Sequence, residues 1–398
     1  MYFFSKNIII EKNQISKRRS KEIYQINSAL FNILHTWYLN EKVDLNDVDE
    51  DISAFLINEG IISHKKDNYN PFVAENSSVT TKRIFVQLTD KCNLRCKHCY
   101  AVGSPMNSKS IDKESLFIFL DDAINNGVTQ IDFTGGEIFM YKDIFDILDH
   151  LDLMPVTTNL FTNLVLCNEK TIKKLSEYDC LRKVITSLDY FDPQKHNEFR
   201  QGKMAFERTV RAMDLLQKYN IDINVNTIVL DDNHDDVWKL AEYLDSKRIP
   251  IFVDNLIWEG RATSFANPKN IGKNARFVAR FLQKRIANSS AEYLDENFKS
   301  GNCGVGKKLM FITADGQIRL CPSLTDVFPL GNIEETKFID ASKNKDNVSK
   351  ILEKLTECQE KKCRLINICK GGCRARAYYM TKNIDGIDTI NCYRYGMI

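Results

Sequence analysis

No stretch of this 398-residue chain reaches the ~18 consecutive apolar residues that a membrane span requires, so no membrane association is expected. The opening residues, Met1-Tyr2-Phe3-Phe4-Ser5-Lys6, are too short in apolar length for a secretory signal and soon become charged, which points to the cytoplasm. An excess of one charge is missing too. Lys and Arg number 55 against 53 Asp and Glu, a formal net charge of +2, which leaves no broad basic face for a nucleic-acid partner. The short runs Lys17-Arg18-Arg19 and Glu360-Lys361-Lys362 read as solvated surface. Length and a hydrophobic content of 43% suit a soluble enzyme of two or three domains.

Cysteine, by contrast, is plentiful, with 12 residues. Such density serves disulfides or metal, and disulfide scaffolds are mostly short secreted chains. Reduced thiols able to bind iron are therefore expected. Three of them fall in Cys92-Asn93-Leu94-Arg95-Cys96-Lys97-His98-Cys99-Tyr100, directly after the apolar stretch Ile84 to Leu88. This C-x3-C-x2-C spacing puts three thiolates on one short loop, enough for three irons of a [4Fe–4S] cube, with the fourth iron left open. A zinc knuckle competes, but zinc prefers four ligands and C-x2-C pairs. Cys167 and Cys180 lie singly in segments that look helical and read as structural, while His98 and His196 read as surface or loop histidines. The signature, with the aromatic Tyr100 after its last cysteine, resembles that of the radical S-adenosylmethionine (radical SAM) enzymes.

The central segment alternates strands and helices. Candidate strands are Arg83–Leu88, Thr129–Phe133, Val156–Phe161, Lys183–Ser187, Asp222–Val229 and Ile251–Leu256. Between them lie helical patterns at Lys113–Asn125, Ile144–Leu151, Glu169–Glu177, Ala205–Lys218 and Asp235–Asp245. Six such units predict a parallel sheet with right-handed crossovers, an α/β partial (β/α)6 TIM-like barrel whose site lies at the C-terminal strand ends. Each suggestive motif falls at such an end: the cysteine loop, then Thr134-Gly135-Gly136-Glu137, Thr162-Asn163 and Ser187-Leu188-Asp189. Paired glycines let backbone approach a ligand closely. Radical SAM enzymes carry Gly-Gly-Glu-Pro at this place, and here Gly135, Gly136 and Glu137 are followed by Ile138. The resemblance implies that Ser187 and Asp189 approach the SAM ribose and that Arg200 approaches its carboxylate, with Tyr100 and Asn163 in the same cofactor site. Helix capping is the plainer explanation for Asn163, Ser187 and Asp189.

A second cysteine pattern occupies the last quarter. Cys303 and Cys321 flank Gly316, then come Cys358-x4-Cys363-x5-Cys369-x3-Cys373, and finally Cys392. With Cys369-Lys370-Gly371-Gly372-Cys373 at its centre, this resembles the seven-cysteine SPASM extension of radical SAM enzymes that act on peptides and proteins. The x4 before Cys363 departs from the usual x2. The resemblance implies one auxiliary cluster on Cys303, Cys321 and Cys373, and another on Cys358, Cys363, Cys369 and Cys392. No cysteine lies between Cys303 and Cys321, so the first has three evident ligands and an iron left for another side chain or a substrate thiolate. Structural zinc on the same thiolates is the alternative.

Residues 1–80 read as a separate unit: a small sheet around Ile8-Ile9-Ile10, a helix over Ser28–Leu39, and another over Val48–Gly60, with Gly60 as its C′ stop. Residues 64–81, rich in Asn, Ser and Lys, read as a linker. The unit resembles the winged-helix peptide-recognition element of peptide maturases, which binds a leader peptide by strand addition. A DNA-binding winged helix would need a basic recognition helix, and Asp44 to Asp51 is acidic. The divisions expected are 1–80, a barrel over 81–265, a helical bridge over 266–300, and an iron–sulfur domain over 301–398. Together they imply a maturase of a ribosomally made precursor peptide, with SAM, three [4Fe–4S] clusters and a reductant such as flavodoxin or ferredoxin. Thioether cross-linking leads among its chemistries, with carbon–carbon cross-linking and epimerisation open. Formylglycine formation in a sulfatase is disfavoured because Pro322, where such enzymes carry an Asp base, follows Cys321. A non-catalytic iron–sulfur carrier or regulator is the reading from another class.

Overall fold

The isoleucine-rich start folds as β1 (Phe3–Phe4) followed by an antiparallel meander of β2 (Ile8–Glu11), β3 (Gln14–Lys17) and β4 (Ile23–Gln25). Two helices follow, α1 (Ser28–Leu39) and α2 (Glu50–Asn58), before β5 (Ile62–Ser63) returns to pair with β1. The Asn27 and Asp49 side chains cap the two helices by accepting first-turn amides that have no helical partner. Gly60, at φ +64°, ends α2 as expected. Phe4, Ile8, Ile10, Leu34, Trp37 and Leu56 give the unit its own core. The structure is a computed structural model describing every residue except 21, 68, 75–78, 289–304, 325–326 and 398. Cys303 lies outside the described residues.

The expected parallel strands form the central sheet: β6 (Arg83–Gln87), β7 (Gln130–Thr134), β8 (Thr157–Phe161), β9 (Leu181–Ser187), β10 (Ile223–Val229) and β11 (Ile251–Asn255), side by side in that order. Side chains alternate across it. Ile84 and Val86 enter the core beneath the helices, while Phe85 turns to the other face and meets Phe161 and Phe311 at 4.9 and 5.9 Å between ring centres. The crossover helices are α3 (Lys113–Asn125), α4 (Ile144–Asp152), α5 (Glu169–Leu175), the pair α6 (Pro193–Arg200) and α7 (Ala205–Lys218), and α8 (His234–Ser246). Asp112, Asn168 and Asp192 cap α3, α5 and α6, so these three turns from rim to helix are written locally.

After α9 (Ile271–Asn288), β12 (Leu309–Ile312) pairs in parallel with β6. The antiparallel strands β13 (Gln317–Arg319) and β14 (Gly331–Asn332) extend that edge. The C-terminal domain therefore continues the barrel sheet. Among the described residues no helix is long and apolar enough to cross a membrane.

Four expectations need correction. Arg18 is not solvated surface: it is 0% exposed, its guanidinium spent on main-chain carbonyls of the barrel. The segment 64–81 is not loose throughout, because three of its described residues are apolar anchors. Tyr69 is buried with its hydroxyl donating to the Ile8 carbonyl, Phe72 joins the N-terminal core, and Val79 joins the barrel core. Cys167 and Cys180 are not helical; they precede α5 and β9 respectively. His196 is no surface residue either, at 1% exposed.

Candidate functional site

The loop after β6 is bound down on every side. Arg261, in the short 3-10 turn after β11, donates from Nε to the Cys96 carbonyl and from Nη2 to the Gly103 carbonyl, both at 2.9 Å. The Lys97 amide donates to the Phe199 carbonyl at 3.0 Å. Cys92 and Cys96 are buried with Leu94 and Ala205, and Cys99 packs beside them. Two N–H groups already face sulfur. The Leu94 amide lies 3.4 Å from Cys92 Sγ, and Arg200 Nη1 lies 3.9 Å from Cys96 Sγ. Burial pushes the Cys92 thiol up to about 12, with Cys96 and Cys99 near enough to add to the rise. Among the described residues no three His, Cys, Asp or Glu converge as a single metal ion would need. A loop with two buried thiols, a third half-buried beside them, and N–H donors aimed at sulfur suits a larger, sulfur-rich group such as an iron–sulfur cluster.

Close backbone packing explains the glycines. A Cβ on Gly136 would stand 2.3 Å from the Lys91 carbonyl oxygen, and one on Gly135 2.9 Å from the Thr89 oxygen. Gly103 meets Gly136 Cα in the same way at 3.1 Å. The glycines thus serve contact between the first two loops as well as any approach to a ligand. Glu137 is 1% exposed, and its carboxylate accepts from Thr162 Oγ1 at 2.6 Å and from the Asn163 amide at 2.8 Å. Burial nevertheless keeps its pKa above the usual carboxylate value. Asn163 donates to Asn93 at 2.8 Å, with its Nδ2 3.9 Å from Cys92 Sγ. The motif residues after β7 and β8 therefore brace the cysteine loop directly.

Asp189 and Arg200, expected to meet different parts of SAM, meet each other. Arg200 Nε and Nη2 lie 2.7 and 2.6 Å from one Asp189 oxygen, and the Ile228 amide donates to the other at 3.2 Å. Burial works against the Asp189 anion, yet Arg200 holds its pKa below the usual range. Ser187, half-buried at the end of β9, stands opposite Asn226 on β10. The Tyr100 hydroxyl is engaged with Thr134, and burial raises its pKa, with Cys99 and Cys321 both close enough to contribute.

His196 accepts the Asp189 amide at its Nδ1, 3.3 Å away, and burial followed by the charge of Arg200 pushes its pKa down to about 3. An unfolded histidine takes up its proton near pH 6.5. Stability tied to His196 is therefore complete above about pH 6.5 and declines as pH falls toward 3, by up to about 1.4 kcal/mol per unit. The unfolding midpoint of cluster-free protein between pH 7.5 and 5 should show this decline. His196→Gln should make it shallower, the rest coming from His98, which burial pushes down to about 4, and equal slopes would refute the assignment.

In the C-terminal domain, Cys358, Cys363, Cys369 and Cys392 gather. After burial, Arg374 lowers the Cys358 pKa while Cys363 and Cys369 raise it. Burial and then Cys369 push Cys392 up to about 11. The longer x4 spacing is absorbed by a turn in which Lys362 has φ +48° and the Cys363 amide donates to the Cys358 carbonyl. Arg374 is 5% exposed, and its Nε and Nη2 have no partner among the described residues. Two orphan donors on an arginine whose charge reaches Cys358 suit the acceptor sulfurs of a cluster. Cys321 and Cys373 lie together in a separate apolar group with Leu324 and Ala375. Sequence reasoning missed Arg261, Arg374, and Asp388, which accepts the Cys373 amide at 2.8 Å and pairs with Arg376. Spacing carried no sign of Arg261, which acts from a distant segment, nor of the contacts made by Arg374, next to Cys373, and Asp388, four residues before Cys392.

A parallel half barrel with a three-thiol loop at its rim and a sulfur-rich extension suits a SAM-dependent enzyme with iron–sulfur cluster domains. The radical SAM superfamily model matches residues 86–244 of the chain. The SPASM iron–sulfur cluster-binding domain matches residues 303–374. The chain is 28% identical to the antilisterial bacteriocin subtilosin biosynthesis protein AlbA of Bacillus subtilis, over 75% of this chain and 69% of that protein. It is 25% identical to the AdoMet-dependent heme synthase of Nitratidesulfovibrio vulgaris, over 79% and 92%. Its fold matches Streptococcus suis SuiB bound to precursor peptide SuiA, with a TM-score of 0.68 at 14% identity, over 98% of this chain and 99% of that one.

Proposed function

We propose that this enzyme modifies a ribosomally made precursor peptide. The observation that carries this reading is the N-terminal sheet. Its β2 edge is filled by the segment at Pro71 and Phe72, whereas the far edge of β4 pairs with nothing among the described residues. Ile23 there is 55% exposed, so an extended leader can add a strand. The names of AlbA and of the SuiB complex support a peptide substrate.

Cys92, Cys96 and Cys99 would hold the SAM-binding cluster. Cys303, Cys321 and Cys373 would hold the first auxiliary cluster, and Cys358, Cys363, Cys369 and Cys392 the second. Gly135, Gly136, Asn163, Ser187, Asp189, Arg200 and Tyr100 would shape the SAM pocket, with Glu137 bracing it. Reduced cluster and SAM together supply a 5′-deoxyadenosyl radical, and the protein positions it against the peptide and shields it. Thioether formation is the product we favour. It would join a cysteine sulfur to a carbon, the carbon's hydrogen going to the 5′-deoxyadenosyl radical and the thiol's leaving as a proton, and an auxiliary cluster held by the C-terminal cysteines would take the remaining electron. A small acidic carrier such as flavodoxin or ferredoxin would reduce the enzyme.

Removing residues 1–74 tests the peptide reading. The cut spares Thr80 and Thr81, which bond to the C-terminal domain. SAM cleavage without peptide should persist, while modification of the full-length precursor, read by mass as loss of two hydrogens, should fall at least tenfold. Equal modification with and without the unit would refute the recognition role.

A further inference from the structure

The N-terminal unit is fastened to the barrel at the end opposite the candidate site. Arg18 follows β3 and enters the barrel floor 0% exposed. Its Nε donates to the Val156 carbonyl, Nη1 to Asp152 and Nη2 to Leu151, each at 3.0 Å, while Nη1 also returns to Lys6 at 2.9 Å. Leu151 and Asp152 are the last residues of α4, whose terminal carbonyls have no helical donors and carry the negative end of the helix dipole. Arg19 adds bonds to the Ser176 and Tyr178 carbonyls, both at 2.7 Å, just before β9. The Lys6 ammonium lies 2.5 Å from the Asp152 carboxylate. Of the chain leaving the unit, Tyr69, Phe72 and Val79 are buried.

β8 measures the separation. Val156, held by Arg18, immediately precedes it, and Asn163, bonded to Asn93 of the cysteine loop, lies just beyond its far end. Seven residue steps at about 3.3 Å each give about 23 Å from floor to rim. A leader strand on β4 begins at the floor, because β4 directly follows the turn that carries Arg18 and Arg19. Extended chain covers at most about 3.3–3.6 Å per residue.

We propose that Arg18 and Arg19 make the N-terminal unit a fixed ruler, setting a minimum of about seven residues between the leader segment paired with β4 and the residue that is modified. The proposal rests on the leader-recognition reading above and adds to it a specificity rule, with the two arginines as positioning residues. A unit free to swing would impose no such threshold.

The test uses full-length enzyme and, as substrate, a short Cys-containing peptide that the enzyme is found to modify, sought among the reading frames neighbouring its gene, with the leader-to-target spacer cut or lengthened by Gly-Ser residues. Modification is read by mass, and leader binding by anisotropy of a fluorescein-labelled leader. Wild type should modify spacers above the threshold and lose at least tenfold below it, with leader affinity unchanged. Arg18→Ala with Arg19→Ala should restore short spacers, leave peptide-free SAM cleavage intact and speed amide exchange over residues 151–156. Arg18→Lys, which keeps the charge but not the fork, should fall between the two. Equal modification of short and long spacers by wild type would overturn the ruler, whether or not the alanine variant folds. An unchanged threshold in a folded variant with fast exchange would overturn the role of the arginines. If labelled leader does not bind wild type, the recognition reading itself fails, a result distinct from a missing threshold.

Discussion

Alanine at Cys92, Cys96 and Cys99 together is expected to remove about four of roughly twelve irons from anaerobically reconstituted protein and to abolish SAM cleavage. The magnitude follows from the geometry of the loop. All three thiols hang from one short segment whose carbonyls are pinned by Arg261 and whose flank is closed by Leu94 against Ala205. The C-terminal thiols belong to separate groups, so about eight irons should remain with them. Iron analysis and 5′-deoxyadenosine measured by chromatography check the two halves of the result independently. Zinc found in place of iron, or cleavage that survives the triple change, would return these cysteines to a structural role.

Gly136→Ala is expected to be the most damaging change that removes no polar group. The added methyl would meet the Lys91 carbonyl oxygen at 2.3 Å and the Asp90 oxygen at 2.7 Å. Neither can retreat cheaply, because the Lys91 carbonyl also accepts the Glu137 amide at 2.8 Å. Overpacking of this kind costs about 1–3 kcal/mol. The larger effect should fall on activity, since the displaced segment leads directly into Cys92, and misplacement by about 1 Å can cost on the order of 100-fold in rate. SAM cleavage should therefore drop by about that factor, with a smaller fall in the unfolding midpoint. Gly60→Ala makes a useful control. It is strained by its φ of +64° but has nothing within 4 Å of the added methyl, so it should lose stability without losing cleavage. Near-normal cleavage in Gly136→Ala would show that the two loops move apart freely.

The barrel was legible in the sequence because its signals are local. Six apolar stretches alternate with helices, three of them capped by an adjacent side chain, and the ranges expected from patterning differ from those observed by only a residue or two. The helices Lys113–Asn125 and Ala205–Lys218 coincide with expectation at both ends. The cysteine spacing was equally legible, as were the motif residues at the strand ends, since short-range geometry on a loop needs no knowledge of the rest of the chain. Gly60 was readable as a helix stop for the same reason.

Partnership was decided only by the tertiary structure. A charge run says nothing about what lies 130 residues away, and so Arg18 read as surface although the fold delivers it to the carbonyls at the end of α4. Glu137 belonged to a recognisable motif, yet only the neighbouring strand ends supply Thr162 and Asn163 as its partners. Asp189 and Arg200 lie on consecutive segments but became a buried ion pair through the return of α6 over the cysteine loop. Composition and spacing determined which residues could carry sulfur and SAM chemistry, because those signals act over a few residues. Which carboxylates, guanidiniums and amides hold them in place was decided by packing, because desolvation forces every buried polar group to find its partner wherever the fold has placed one.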